Sequence, residues 1–150
     1  PVCAPQLIGG EALAGPEGFS RLPLLQHTTR PYLWRDWLAD AGANGVNGIA
    51  GPKFEYYSLV IQAAIAGIGV AILPDFLVRE EIQSGALMVA CPHRMRCEDA
   101  YFVVYPKRFD ENVNVQAFAS WIRDEARLYI DSPEHGGPGS SDANIARPPS

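Results

Sequence analysis

Between Tyr56 and Pro74 a helical pattern gives way to a strand within a few residues, and that abrupt change limits the folds open to this chain. Tyr56–Ala66 is apolar almost all round, which predicts a buried helix. Gly67 and Gly69 end it, and Val70-Ala71-Ile72-Leu73 reads as a short buried strand closed by Pro74. A helix that feeds an apolar strand across two glycines belongs on a sheet covered by helices, and glycine permits the close crossing.

The alternation recurs on both sides. Leu24-Leu25-Gln26-His27 reads as a strand and Thr28-Thr29-Arg30 as a turn. Pro31 suits the first position of a helix whose Trp34, Trp37, Leu38 and Ala41 share one face. Gly42, Asn44, Gly45 and Gly48 stop that helix, and an extended piece spans Gly51 to Glu55. After Pro74, Asp75–Ser84 predicts a helix with Phe76, Leu77, Val78 and Ile82 on its apolar side; Gly85 ends it and Ala86–Ala90 predicts a strand. Ala100–Tyr105 predicts a further strand, and Val115, Phe118, Ala119 and Ile122 mark an amphipathic helix to about Leu128. Strands alternating with helices imply an α/β domain with a largely parallel sheet.

Charge and cysteine usage narrow the function classes. The 150 residues carry a net charge of -5, which argues against a free-standing nucleic-acid binder. No apolar run approaches the roughly 18 residues that span a bilayer, so no membrane partner is expected. No signal peptide is visible, and a start at Pro1 without methionine suggests a piece of a longer chain. Three cysteines, Cys3, Cys91 and Cys97, suit free thiols in a reducing, cytoplasmic compartment better than a secreted disulfide scaffold. Cys91, His93 and Cys97 lack the paired spacing of structural zinc sites, so no metal site is expected, and nothing in the sequence calls for a cofactor. His93 stands two residues from Cys91 in an Arg-rich loop, which gives no reason for an activated thiolate; no catalytic residue is assigned and an enzyme is not expected. From Asp131 to Ser150 the chain is rich in Gly, Pro and Ser and offers almost nothing to bury, which predicts a disordered tail, 131–150.

In open α/β sheets ligands sit at the carboxyl ends of strands, where helices begin. Two such junctions carry polar groups here: Thr28, Thr29 and Arg30 before one helix, and Tyr56, Tyr57 and Ser58 at the start of the next. Free backbone N–H groups, hydroxyls and a guanidinium together suit an anion such as a carboxylate. The competing reading gives Thr28 or Thr29 the lesser task of capping a helix, with Ser58 an ordinary first-turn residue.

Phe54-Glu55-Tyr56-Tyr57-Ser58, followed by Ile61 through Pro74 with its Ala-Ala-x-x-Gly-x-Gly-x-Ala step and then by Gly85-Ala86-Leu87, resembles the effector-binding domain of LysR-type transcriptional regulators. The opening Pro1–Pro5, His27, Trp34-x-x-Trp37-Leu38 and Ala100–Pro106 fit as well, and are similar to the branch of glycine-cleavage activators and β-lactamase regulators. The resemblance covers about residues 1–128. It implies a type 2 periplasmic-binding-protein-like fold, two α/β lobes joined by two hinge strands, with one complete lobe here and the returning strand and helix of the other. Val2–Pro5 is then the first crossover, residues 6 to about 95 the second lobe, and about 100–128 the return, within an effector-binding fragment spanning 1–130. The resemblance also implies a small-molecule effector, with Thr28, Thr29, Arg30, Tyr56, Tyr57 and Ser58 lining its cleft. DNA binding would belong to the full-length bacterial parent, since this fragment carries no helix-turn-helix, and homo-oligomers would form in that parent. An exported solute-binding protein of the same fold and a small cysteine-dependent enzyme are the alternatives.

Overall fold

A computed structural model describes residues 1–96 and 101–131 of the chain. They fall into two compact units, Pro1–Cys97 and Glu98–Ser150.

The first unit is built on a five-stranded sheet. Its strands are β1 (Val2–Cys3), β2 (Leu24–His27), β3 (Lys53–Phe54), β4 (Val70–Ala71) and β5 (Met88–Val89), in the spatial order β3-β2-β4-β1-β5. β2 runs parallel to both β3 and β4, while β1 runs antiparallel to β4 and to β5. The sheet is therefore parallel except for β1, which lies reversed inside it.

Successive strand residues point to opposite faces, and the two faces hold two cores. Leu24, Val70 and Cys3 join Phe19, Trp34, Trp37 and Leu38 on one side; Leu25, Ala71 and Val2 join Val60, Ala63, Ala64 and Leu87 on the other. The register agrees, since Leu24 is opposite Val70, and Leu25 and Val2 are both opposite Ala71. Helix α1 (Leu33–Asp40) supplies Trp34, Trp37 and Leu38 to the first core, and α2 (Tyr57–Ile65) supplies Val60, Ala63 and Ala64 to the second. Phe19 stands edge-on to Trp34 and Trp37 at 5.3 and 5.5 Å, and Trp34 Nε1 donates to the Leu25 carbonyl at 3.0 Å. Gln26, the buried polar residue of β2, donates from Nε2 to the carbonyls of Leu24, Gly48 and Ala50, tying the loop after α1 to the sheet.

Two glycines let the backbone close up around the entrance to β2. A Cβ on Gly69 would stand 2.4 Å from the Pro23 carbonyl oxygen, and one on Gly51 would stand 2.0 Å from that of Leu24. Gly51 also adopts a φ of +134°, which side-chain-bearing residues avoid. The close helix-to-strand crossing expected of Gly67-Ile68-Gly69 thus has a specific contact behind it.

Several expected elements differ in extent. The helix at Tyr56–Ala66 is buried along one stripe only, and Leu59 is half exposed, because a helix lying on one sheet covers a single face. The Asp75–Ser84 helix is split: a 3-10 turn at Asp75–Leu77 and α3 (Arg79–Gln83) flank Val78, which leaves helical geometry at φ −130°, ψ 15° and is buried in the second core. The strands expected at Val70–Leu73 and Ala86–Ala90 are short, β4 and β5, with Ala90 N–H extending the second by donating to the Pro1 carbonyl at 2.9 Å. In the second unit Tyr101–Tyr105 forms no ladder, and Tyr101, Phe102, Val103 and Val104 are exposed. A strand pattern in the side chains does not suffice where no neighbouring backbone among the described residues takes up the N–H and C=O groups. The amphipathic helix is present as α4 (Val113–Asp131), with Asn112 Oδ1 accepting from the amides of Asn114 and Val115 at its start. Asp131 belongs to this helix; the rest of the expected tail, and Cys97 and Ala100, lie outside the described residues.

Candidate functional site

Parallel pairing of β2 with β3 sets His27 beside Phe54, so the segments that follow both strands emerge at one edge of the sheet. The turn Thr28–Arg30 follows β2, and Glu55 and Tyr56 lead from β3 into α2. The two segments touch directly. Thr28 N–H donates to the Phe54 carbonyl at 2.9 Å, and the His27 and Tyr57 rings stack with centroids 4.3 Å apart and 34° between their planes. Arg30 N–H donates back to the His27 carbonyl at 3.0 Å, closing the turn. Asp75, four residues after β4, lies 3.6 Å from Arg94 Nη1.

The structure brings together Thr28, Thr29 and Tyr57 around His27. Tyr56 is the residue before α2, with extended φ and ψ and a side chain 60% exposed. Ser58 stands exposed in the first turn of α2, and Arg30 is half-buried in the turn after β2. Neither helix start is capped by a side chain: Tyr32 precedes α1 and Tyr56 precedes α2, each without a side-chain cap hydrogen bond. Thr28 and Thr29 therefore do not cap α1, which removes the competing role considered for them. Thr29 instead turns its hydroxyl to His27 Nδ1 at 2.8 Å, and its N–H donates to the same atom at 3.3 Å.

His27 is the residue that sequence reasoning left out of the site. Its pKa is lowered from the ordinary imidazole value by burial and, next, by the Arg30 charge. The available signal was its place as the last residue of a strand that opens into a polar turn. This edge presents hydroxyls, the Arg30 guanidinium, the Glu55 carboxylate and the rings of His27, Tyr56 and Tyr57. Two shallow depressions, both lined by Leu22, lie near the opposite end of β2.

The remaining polar cluster is spoken for. Cys91 is buried in the first core, and His93 places Nε2 2.6 Å from Asp40 Oδ2 while its ring stands edge-on to Trp37 at 5.3 Å. Among the described residues no group of three His, Cys, Asp or Glu side chains is arranged to hold a metal, and no helix is long and apolar enough to cross a membrane.

Residues 1–127 match the LysR substrate binding domain. The chain is 32% identical over 123 residues to the glycine cleavage system transcriptional activator of Escherichia coli K12, covering 81% of this chain and 40% of that protein. It is 32% identical over 127 residues to the transcriptional regulator TrpI of Pseudomonas aeruginosa, covering 83% and 42%. The chain thus spans about two fifths of the length of these relatives. Among solved structures, the effector binding domain of AmpR from Citrobacter freundii superposes with a TM-score of 0.64 at 18% identity, covering 84% of this chain and 62% of that one. That likeness establishes a common fold.

Proposed function

Because this chain belongs to the LysR substrate-binding domain family, we propose that it senses a small-molecule effector for a bacterial transcriptional regulator. The effector binds at the edge formed by Thr28, Thr29, Arg30, Tyr56, Tyr57 and Ser58. The relatives are transcriptional regulators rather than enzymes, which favours sensing over catalysis and over the exported solute-binding alternative. The observation that carries the reading is the convergence of two polar turns at the carboxyl edge of a parallel strand pair, where α/β sheets take their ligands. The helix starts there have no side-chain caps, and amides at a helix start suit an anionic group. Arg30 and the hydroxyls of Thr28 and Ser58 add charge and direction, so a carboxylate-bearing molecule is the class proposed. DNA contact and assembly into homo-oligomers belong to the full-length regulator in the cytoplasm.

A thermal-shift screen of small carboxylates against this chain identifies the ligand, and calorimetric titration then measures two variants. Ser58→Ala is expected to weaken binding by about one to two decades, the worth of one hydrogen bond to a charged group. Its melting temperature should stay close to that of the parent, since this exposed hydroxyl caps nothing. Arg30→Ala should cost at least as much for an anion and little for a neutral ligand. Unchanged affinity in both variants removes these residues from the site.

A further inference from the structure

His27 joins the two halves of the candidate edge through three contacts. Its Nδ1 lies 2.8 Å from the Thr29 hydroxyl and accepts from the Thr29 amide at 3.3 Å, and its ring lies against Tyr57 at the first position of α2. A ring nitrogen that accepts carries no proton, so the neutral imidazole holds its hydrogen on Nε2. Protonation puts a hydrogen on Nδ1, pointing at the Thr29 N–H. That donor then loses its acceptor, and the hydroxyl must rotate to accept instead. The Thr28–Arg30 turn is thus held by an atom whose role changes with one proton, on a ring that also packs against Tyr57.

We propose that His27 is a positioning residue for the effector site, fixing the Thr28–Arg30 turn against Tyr57 while Nδ1 is unprotonated and loosening it when that atom is protonated. The proposal rests on the reading of this edge as the binding side and adds a regulatory input to it. The groups that bear on the ring are Arg30, whose charge opposes a second cation beside it, and the Tyr57 phenol; from β3 the neighbour is the uncharged Phe54. Among the described residues no carboxylate is hydrogen-bonded to the imidazole, so nothing of that kind stabilises the charged form. Burial and Arg30 both favour the neutral ring, and its pKa lies below the ordinary 6.5. The folded state therefore takes up this proton later than the unfolded chain does. The contribution of His27 is present above the ordinary value and is lost as pH falls through the lower one.

The test needs no ligand. The 150-residue chain, with histidine labelled by nitrogen-15, is titrated by long-range proton–nitrogen NMR, and His27→Gln identifies the His27 signals against those of His93 and His135. The expected result is the Nε2–H tautomer, a midpoint below about 6.5, and a Thr29 amide that shifts with the same midpoint. Thr29→Val removes a hydroxyl that faces Nδ1 in both protonation states and should shift the His27 midpoint, and Thr29→Ser should restore it. Should His27→Gln fail to fold, His93→Gln and His135→Gln identify the His27 signals by elimination. An Nδ1–H tautomer, a Thr29 amide without that inflection, or a midpoint indifferent to Thr29→Val overturns the proposal. Each of those failures leaves the binding reading standing, since that reading is decided by the Ser58 and Arg30 titrations.

Discussion

Gly51→Ala is expected to unfold most of the first unit at temperatures where the parent chain is stable. The new methyl carbon would stand 2.0 Å from the Leu24 carbonyl oxygen, well inside van der Waals contact, and its residue would have to keep a φ of +134°. Neither conflict is relieved by a side-chain rotation, because the obstructing atom is backbone at the start of β2. Moving it pulls Leu24 away from Val70, its partner in β4. Backbone strain of about 1–3 kcal/mol and overpacking of about 1–3 kcal/mol together approach the stability of a small domain. Urea or thermal melting followed by far-UV circular dichroism reads the loss. Gly45→Ala is the matching control: a Cβ there meets nothing within 4 Å, and the change should stay within about 0.5 kcal/mol. Equal stability of the two variants would show that the Gly51 backbone does not pack on β2 as described.

Trp34→Ala should be nearly as damaging by a different route. Trp34 is 1% exposed, meets Phe19 edge-on at 5.3 Å, lies 6.0 Å from Trp37, and donates its indole N–H to Leu25 across the sheet interface. Truncating a buried aromatic of this size costs about 3–5 kcal/mol, which for a unit of the size of Pro1–Cys97 lowers Tm by roughly 12–40 °C. Trp34→Phe separates the terms, keeping most of the apolar contact and losing only the hydrogen bond, and should cost about 1–3 kcal/mol. A Trp34→Ala chain that melts within a few degrees of the parent would mean that α1 is not anchored through this residue.

The parts of the fold legible in the sequence were those written in local terms. Trp34, Trp37 and Leu38 fall on one helical face whatever the tertiary setting, and Leu24–His27 is a strand over the same four residues in the structure. What was not legible depended on partners. Tyr101–Tyr105 has the side chains of a strand and no neighbouring strand among the described residues. Val78 breaks its helix because the second core takes its side chain, a demand that comes from α2 and the sheet rather than from Asp75–Ser84. The edge of Thr28–Arg30 and Tyr56–Ser58 was foreseeable because the strand-to-helix junction is a sequence feature. The place of His27 was not, because its contacts come from a turn folding back on the preceding strand and from a ring supplied by the next helix.

β1 has a consequence for the order in which the first unit assembles. It lies between β4 and β5, and in the sheet β5 reaches the other strands only through Val2 and Cys3. Contacts such as Val2 with Val89 join distant points of the chain, and such pairings are slow to form because long loops must close first. The β3-β2-β4 part can form from segments closer in sequence, whereas β5 has no edge to bond until β1 has settled against β4. In refolding followed by hydrogen-exchange labelling, protection at Met88 and Ala90, whose amides face β1, should appear no earlier than at Val2 and Cys3. Earlier protection at Met88 would mean that β5 finds another partner first. The sheet is then expected to grow from the β3 edge toward β5, and its first strand in sequence is among the last to be laid in place.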